Sequence, residues 1–297
     1  MADEAESLLS AMGDLQLERF RVAGEYVRYD DKVRSALKDL RVKLTRSLDD
    51  DSRGRESFLI WGPPGSGKTY LVQQIVGSLG GNIDYRELNL AQSGESEFKE
   101  ALRNVENSKM SCLCFIDEID SKQTEPWPYE ALLAFMESSQ TPANRICFVL
   151  AGSGGSSIDE MKTKISSRPK GKDLLSRVMK GNEFSVPPLG TGDKLLVAAT
   201  QMVVSANARG HPIREIEKLA LYYIAANPTY SSARQLRGLA SSCAGRIPQG
   251  EDRIKYDYLF EPGDHENKEF WLETRSLHQG FSDMFVMVGS TDSSTWQ

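Results

Sequence analysis

With 297 residues, of which 39% are hydrophobic and 26% charged, the chain is long enough for one substantial α/β domain plus a smaller companion, at roughly 100 to 200 residues per domain. Its net charge of -6 argues against a surface built throughout to hold nucleic acid, while leaving room for a local basic patch. No apolar run approaches the ~20 residues that a membrane span needs, and the opening MADEAESLL lacks the basic and apolar regions of a secretory signal, so a soluble cytoplasmic protein is expected.

Residues 1–52 are polar and helix-prone, and they close on Asp49, Asp50 and Asp51 followed by Ser52, Arg53 and Gly54, which reads as a linker. From Ser57 short apolar runs (FLIW, CLCFID, ICFVLAG, EFSVPPL) alternate with helical stretches (YLVQQIVGSL, ESEFKEALRNV, YEALLAFMESS, DLLSRV). That alternation predicts a parallel sheet with crossover helices over residues 53–190. After Pro188 the strands of the sheet stop, and three amphipathic patterns over residues 191–248 predict a small helical lid. The second pattern carries Ile213, Ile216, Leu219, Ala220, Tyr223 and Ile224 on one helix face, and the third carries Leu236, Leu239, Ala240 and Cys243. Residues 249–297 hold YDYLF, the turn-rich EPGDHEN and EFWLE, which predict a β-hairpin followed by a polar tail.

Two motifs carry chemistry. Gly62, Pro63, Pro64, Gly65, Ser66, Gly67, Lys68 and Thr69 follow an apolar strand and precede a helix opened by Tyr70, the context that a phosphate-cradling loop requires. Glycines let the backbone wrap a phosphate, the helix N-terminus presents N–H groups, Lys68 reaches the terminal phosphates, and the Thr69 hydroxyl is placed for Mg²⁺. In CLCFIDEID, Asp117 and Glu118 end a strand, where one carboxylate can hold the Mg²⁺ shell and the other can polarise a water. Asp120 is expected to be solvated.

GPPGSGKT followed by FIDEID resembles the Walker A and Walker B pair of the AAA+ ATPases, over about residues 35 to 246. The resemblance implies an α/β fold with a five-stranded parallel sheet in three layers and a small helical lid. It also implies ATP and Mg²⁺ as ligands, ATP hydrolysis, and a homo-oligomer or AAA+ hetero-oligomer whose neighbouring subunit completes the site. It places a sensor of the γ-phosphate at Ser153, where family members more often carry Asn or Thr. It places an arginine finger at Arg177, with Arg168 as the rival, and a second sensor at Arg234 in SSARQLRGLA, with Arg237 one turn on. Remodelling or switching of a separate protein partner is the function implied. A nucleic-acid-associated ATPase of initiator or clamp-loader type, and a slow-turnover scaffold that recruits an effector, are the alternatives.

The remaining features are bland or open. Between Lys162 and Lys180 seven basic residues meet one acid, Asp173, a run that reads first as a solvated loop and second as a nucleic-acid patch. The stretch NLAQSGESEF lacks the aromatic–Gly pair of threading unfoldases, and Phe98 with Leu102 reads as helix packing. Trp127, between two prolines, is either an exposed partner contact or a buried anchor. Cys112, Cys114, Cys147 and Cys243 read as buried apolar residues, and His211, His265 and His278 as structural or solvated.

Overall fold

The computed structural model describes residues 2–49, 55–81, 83–137, 145–260 and 279–288. Two compact units emerge: residues 1–34 with 189–297, and residues 35–188. The first contains helix α1 (Ala2–Ala11), the two-residue strand β1 (Asp14–Leu15) and a small antiparallel pair, β2 (Arg21–Ala23) with β3 (Tyr26–Val27). Helix α2 (Asp31–Asp49) leads from it into the second unit.

That second unit is built on strands β4 (Arg55–Trp61), β5 (Ile83–Asn89), β6 (Ser111–Asp117), β7 (Ile146–Gly152) and β8 (Glu183–Ser185). They form one five-stranded sheet in the order β5-β6-β7-β4-β8, every pairing parallel. The crossovers are α3 (Lys68–Gly77), α4 (Glu95–Glu106), α5 (Trp127–Met136) and the pair α6 (Ile158–Ser166) and α7 (Gly171–Ser176). Strand β7 is buried along its whole length, and β6 over all but its ends. Such near-continuous apolar runs are what a parallel sheet covered on both faces demands. Phe98 and Leu102 of α4 pack into this core beside Cys112, Cys114, Ile116 and Phe148. Full burial of a side chain such as Phe98 contributes roughly 1.5–3 kcal/mol.

The remainder of the first unit holds α8 (Thr191–Asn207), β9 (Glu215–Glu217), α9 (Lys218–Ala226), α10 (Ala233–Ala244), β10 (Arg253–Ile254) and β11 (Phe285–Val288). Within the stretch expected to be wholly helical a strand does occur: β9 joins β1, β11 and β10 in a four-stranded sheet. Ile213 and Ile216 fall outside α9 because Ile216 pairs with Ile254 and Val286, residues that local periodicity cannot see. YDYLF is a correction too, since Tyr256–Leu259 is a 3-10 turn that buries Tyr256 and Leu259. The other half of that expected hairpin, EFWLE, lies outside the described residues, as do His265, His278 and the linker residues 50–54.

Arg28, fully buried, is the largest polar commitment of the first unit. It donates to Asp193 Oδ2 at 3.0 Å and to the Tyr26 hydroxyl at 3.2 Å. Asp193 also accepts the backbone N–H groups of Tyr29 at 2.7 Å and Gly190 at 3.2 Å, so both its oxygens are satisfied. The four cysteines are free and buried, and burial pushes the thiols of Cys112, Cys147 and Cys243 up to about 12. No helix among the described residues is long and apolar enough to cross a membrane.

Candidate functional site

Because all five strands run the same way, the carboxyl ends of β4, β6 and β7 open onto one edge of the sheet, where parallel α/β folds bind ligands. The loop from Gly62 to Gly67 leaves β4 there and turns into α3, with Gly65 and Gly67 at φ of 77° and 90°. Gly67 occupies the N-cap position in the left-handed region, a conformation that a side chain would strain. Lys68 opens α3 and is buried; its Nζ donates to the Gly62 carbonyl at 2.7 Å and to that of Pro63 at 3.4 Å. Burial lowers its pKa, against the pull of Asp117, Glu118 and Asp120. Pro64 and Gly65 are exposed, and Pro63, Thr69 and Tyr70 are half-buried.

Ser66 is 3% exposed, and its hydroxyl has no hydrogen-bond partner among the described residues. A buried, unpaired hydroxyl inside a loop of N–H groups is a place for an acceptor such as a phosphate oxygen. Thr69 Oγ1 lies 3.5 Å from Asp117 Oδ2. A hydroxyl and a carboxylate together are the hard oxygen donors that suit Mg²⁺. The residues present thus fit both a nucleotide phosphate and its cation.

Glu118 follows Asp117 in the left-handed region, at φ 58°, a conformation uncommon for a residue with a side chain and typical of strained functional loops. Its N–H is held by Asp117 Oδ1 at 3.0 Å, and its carbonyl accepts from the Ser121 N–H at 2.8 Å. Burial first, then the charges of Asp117 and Asp120, raise the Glu118 pKa, while Lys68 opposes the rise. Asp120 is not solvated as expected. It is half-buried, it reaches the Ser153 N–H at 3.4 Å, and a Cβ on Gly154 would lie 2.2 Å from its Oδ2. The glycines of GSGGSS therefore make room for a carboxylate, a function that composition alone did not reveal.

Other candidate residues are carried by other elements. Arg177 follows α7, is exposed, and forms an ion pair with Glu137. Arg234 stands exposed on the first turn of α10, in the other unit, while Leu236, Ala240 and Cys243 are buried on the opposite face of that helix. Ser232 caps α10 by accepting the Gln235 N–H, and the Gln235 side chain answers to the Ser232 N–H. Trp127 is half-buried: its ring meets Phe98 edge-on at 5.7 Å, and Lys122 sits over it. In the basic run, Lys162 pairs with Glu183, Lys164 with Glu160 and Lys170 with Asp173, and Arg168 turns inward onto its own chain. Among the described residues no group of His, Cys, Asp and Glu forms a metal cluster.

Residues 58–170 match the model of the family described as ATPase family associated with various cellular activities (AAA). No curated protein sequence matches the chain. Among solved structures, NtrX from Brucella abortus in complex with ADP superposes with a TM-score of 0.52 at 15% identity, covering 86% of this chain and 62% of NtrX. This chain thus spans less than two thirds of NtrX. A point mutant of Thermotoga maritima RuvB also gives a TM-score of 0.52, at 20% identity, covering 88% of this chain and 72% of RuvB. At these identities the likeness is one of fold.

Proposed function

We propose that the chain, whose residues 58–170 match the AAA family model, is an AAA+ P-loop ATPase that binds and hydrolyses ATP and couples turnover to the remodelling or switching of a protein partner within an oligomer. The observation that carries this reading is the meeting of Thr69 with Asp117 beside the strained, pKa-raised Glu118 at the mouth of the phosphate loop. The ADP in the NtrX structure agrees with a nucleotide as ligand.

In this reading the N–H groups of Gly65, Gly67, Lys68 and Thr69 and the Ser66 hydroxyl hold the β- and γ-phosphates, and Lys68 leaves the Gly62 carbonyl to neutralise them. Thr69 and Asp117 would hold Mg²⁺, which supplies charge neutralisation on the phosphate oxygens when bound. Glu118, with a raised pKa, accepts a proton from the attacking water, and Ser153 orients that water or the γ-phosphate. Arg177 serves a neighbouring subunit as its arginine finger. Its surface ion pair with Glu137 is of a kind worth ~0–1 kcal/mol, so releasing it costs little. Arg234, at the start of α10, is the candidate second nucleotide sensor.

The test is steady-state ATP hydrolysis against protein concentration for wild type, Glu118→Gln, Arg177→Ala and a mixture of the two variants. Recovery of activity on mixing supports a site shared between subunits. Tight ATP binding with no turnover by wild type replaces this reading with the scaffold.

A further inference from the structure

We propose that Arg168 is a positioning residue for Glu118, acting within its own subunit by clamping the loop that follows β6, and is not an arginine finger. The inference deepens the ATPase reading and rests on it. Three consecutive carbonyls follow Glu118, those of Ile119, Asp120 and Ser121, and Arg168 with Tyr129 collects all of them. The Tyr129 hydroxyl donates to Ile119 O at 3.0 Å and accepts from Arg168 Nη1 at 2.8 Å. Nη1 donates also to Ser121 O at 2.8 Å, and Nη2 donates to Asp120 O. The guanidinium lies over the Tyr129 ring, 5.5 Å from its centroid, and Tyr129 is itself 3% exposed. A planar fork with fixed donors is suited to gather carbonyls in this way, and an ammonium is not.

Fixing three successive peptide planes dictates where the residue before them sits. Glu118 and Lys122, at φ 58° and 51°, are both left-handed, so the loop holds two strained residues within five positions. Strain of this kind persists only where surrounding structure over-determines it. Arg168 is itself held firmly: its N–H bonds to Ile165 O at 3.1 Å, its carbonyl accepts from Gly171 at 3.0 Å, and the tight turn between α6 and α7 leaves no room for a Cβ at Gly171. With both terminal nitrogens committed to its own backbone, Arg168 has no reach toward a neighbour's phosphate, whereas Arg177 is exposed.

The experiment compares wild type with Arg168→Ala and Arg168→Lys in the full chain, by amide hydrogen exchange and by ATP kinetics. The Ile119, Ser121 and Glu125 amides, each hydrogen-bonded in or beside the loop, should exchange at least about tenfold faster in Arg168→Ala, with the amides of residues 62–69 unchanged. The affinity for a fluorescent ATP analogue should stay within about twofold while kcat falls about tenfold or more, the mark of an interaction used in the chemical step. Arg168→Lys should recover only part of either effect, and it carries the comparison should Arg168→Ala fail to fold. Mixing Arg168→Ala with Glu118→Gln should restore nothing. Unchanged exchange in the loop, or restored activity on mixing, overturns the proposal. If wild type turns over no ATP, the ATPase reading falls while the exchange measurement still decides the clamp.

Discussion

Asp120 reaches from beyond the end of β6 to the backbone N–H of Ser153, 3.4 Å away beyond the end of β7. One carboxylate thereby joins the strand that delivers the candidate base to the strand that delivers the candidate sensor. It also contributes to the raised pKa of Glu118.

A pH profile follows from that charge. Glu118 works as a base only when ionised, and its pKa lies above the ordinary value, so activity should fall on acidification sooner than a glutamate near ~4.3 would dictate. Asp120→Asn keeps an oxygen for Ser153 but removes a negative charge, which lowers the Glu118 pKa. The acidic limb of kcat should move to lower pH in that variant; a limb that stays put or moves upward disproves the coupling.

Lys68→Ala should weaken ATP binding by on the order of 10- to 100-fold, the loss of charge-assisted bonds to phosphate. Isothermal titration calorimetry reads this directly. An unchanged affinity would remove Lys68 from the phosphate site.

Asp193→Ala should destabilise the first unit by about 3–5 kcal/mol, because it strands a fully buried Arg28 charge along with the Tyr29 and Gly190 N–H groups. Denaturant unfolding followed by fluorescence gives the number. Loss below about 1 kcal/mol would mean that water reaches the guanidinium.

Gly171→Ala should cost more than about 2 kcal/mol, since its Cβ would sit 1.8 Å from the Ile165 carbonyl oxygen, a backbone atom that cannot step aside. A lowered midpoint in thermal unfolding is expected, and parity with wild type would show that the α6–α7 turn can relax.

The second unit was legible because its signals are local. Glycines before Lys68, β-branched and aromatic runs ending at Asp117, and alternation of short strands with longer helices each sit within a few residues of what they specify. The small sheet of the first unit escaped notice because its strands are two to four residues long, too short for periodicity, and because Ile216 is made a strand residue by Ile254 and Val286. Asp120 and Arg168 were misread or left undecided for a related reason. Their partners are backbone groups of Ser153 and of the 119–121 loop, and a sequence does not print where its carbonyls point.

The pairing of Asp14 with Met287 and of Leu15 with Val288 joins residues more than 270 positions apart, across the whole of the second unit. During synthesis the segment holding β1 is made early yet has no strand to lie against until the residues of β11 have been added. The inserted unit, whose sheet closes within residues 55–185, can mature on the ribosome while both flanks of its host wait. The order of folding therefore runs from the middle of the chain outward, and the edge of β1 that β11 covers goes longest without a partner.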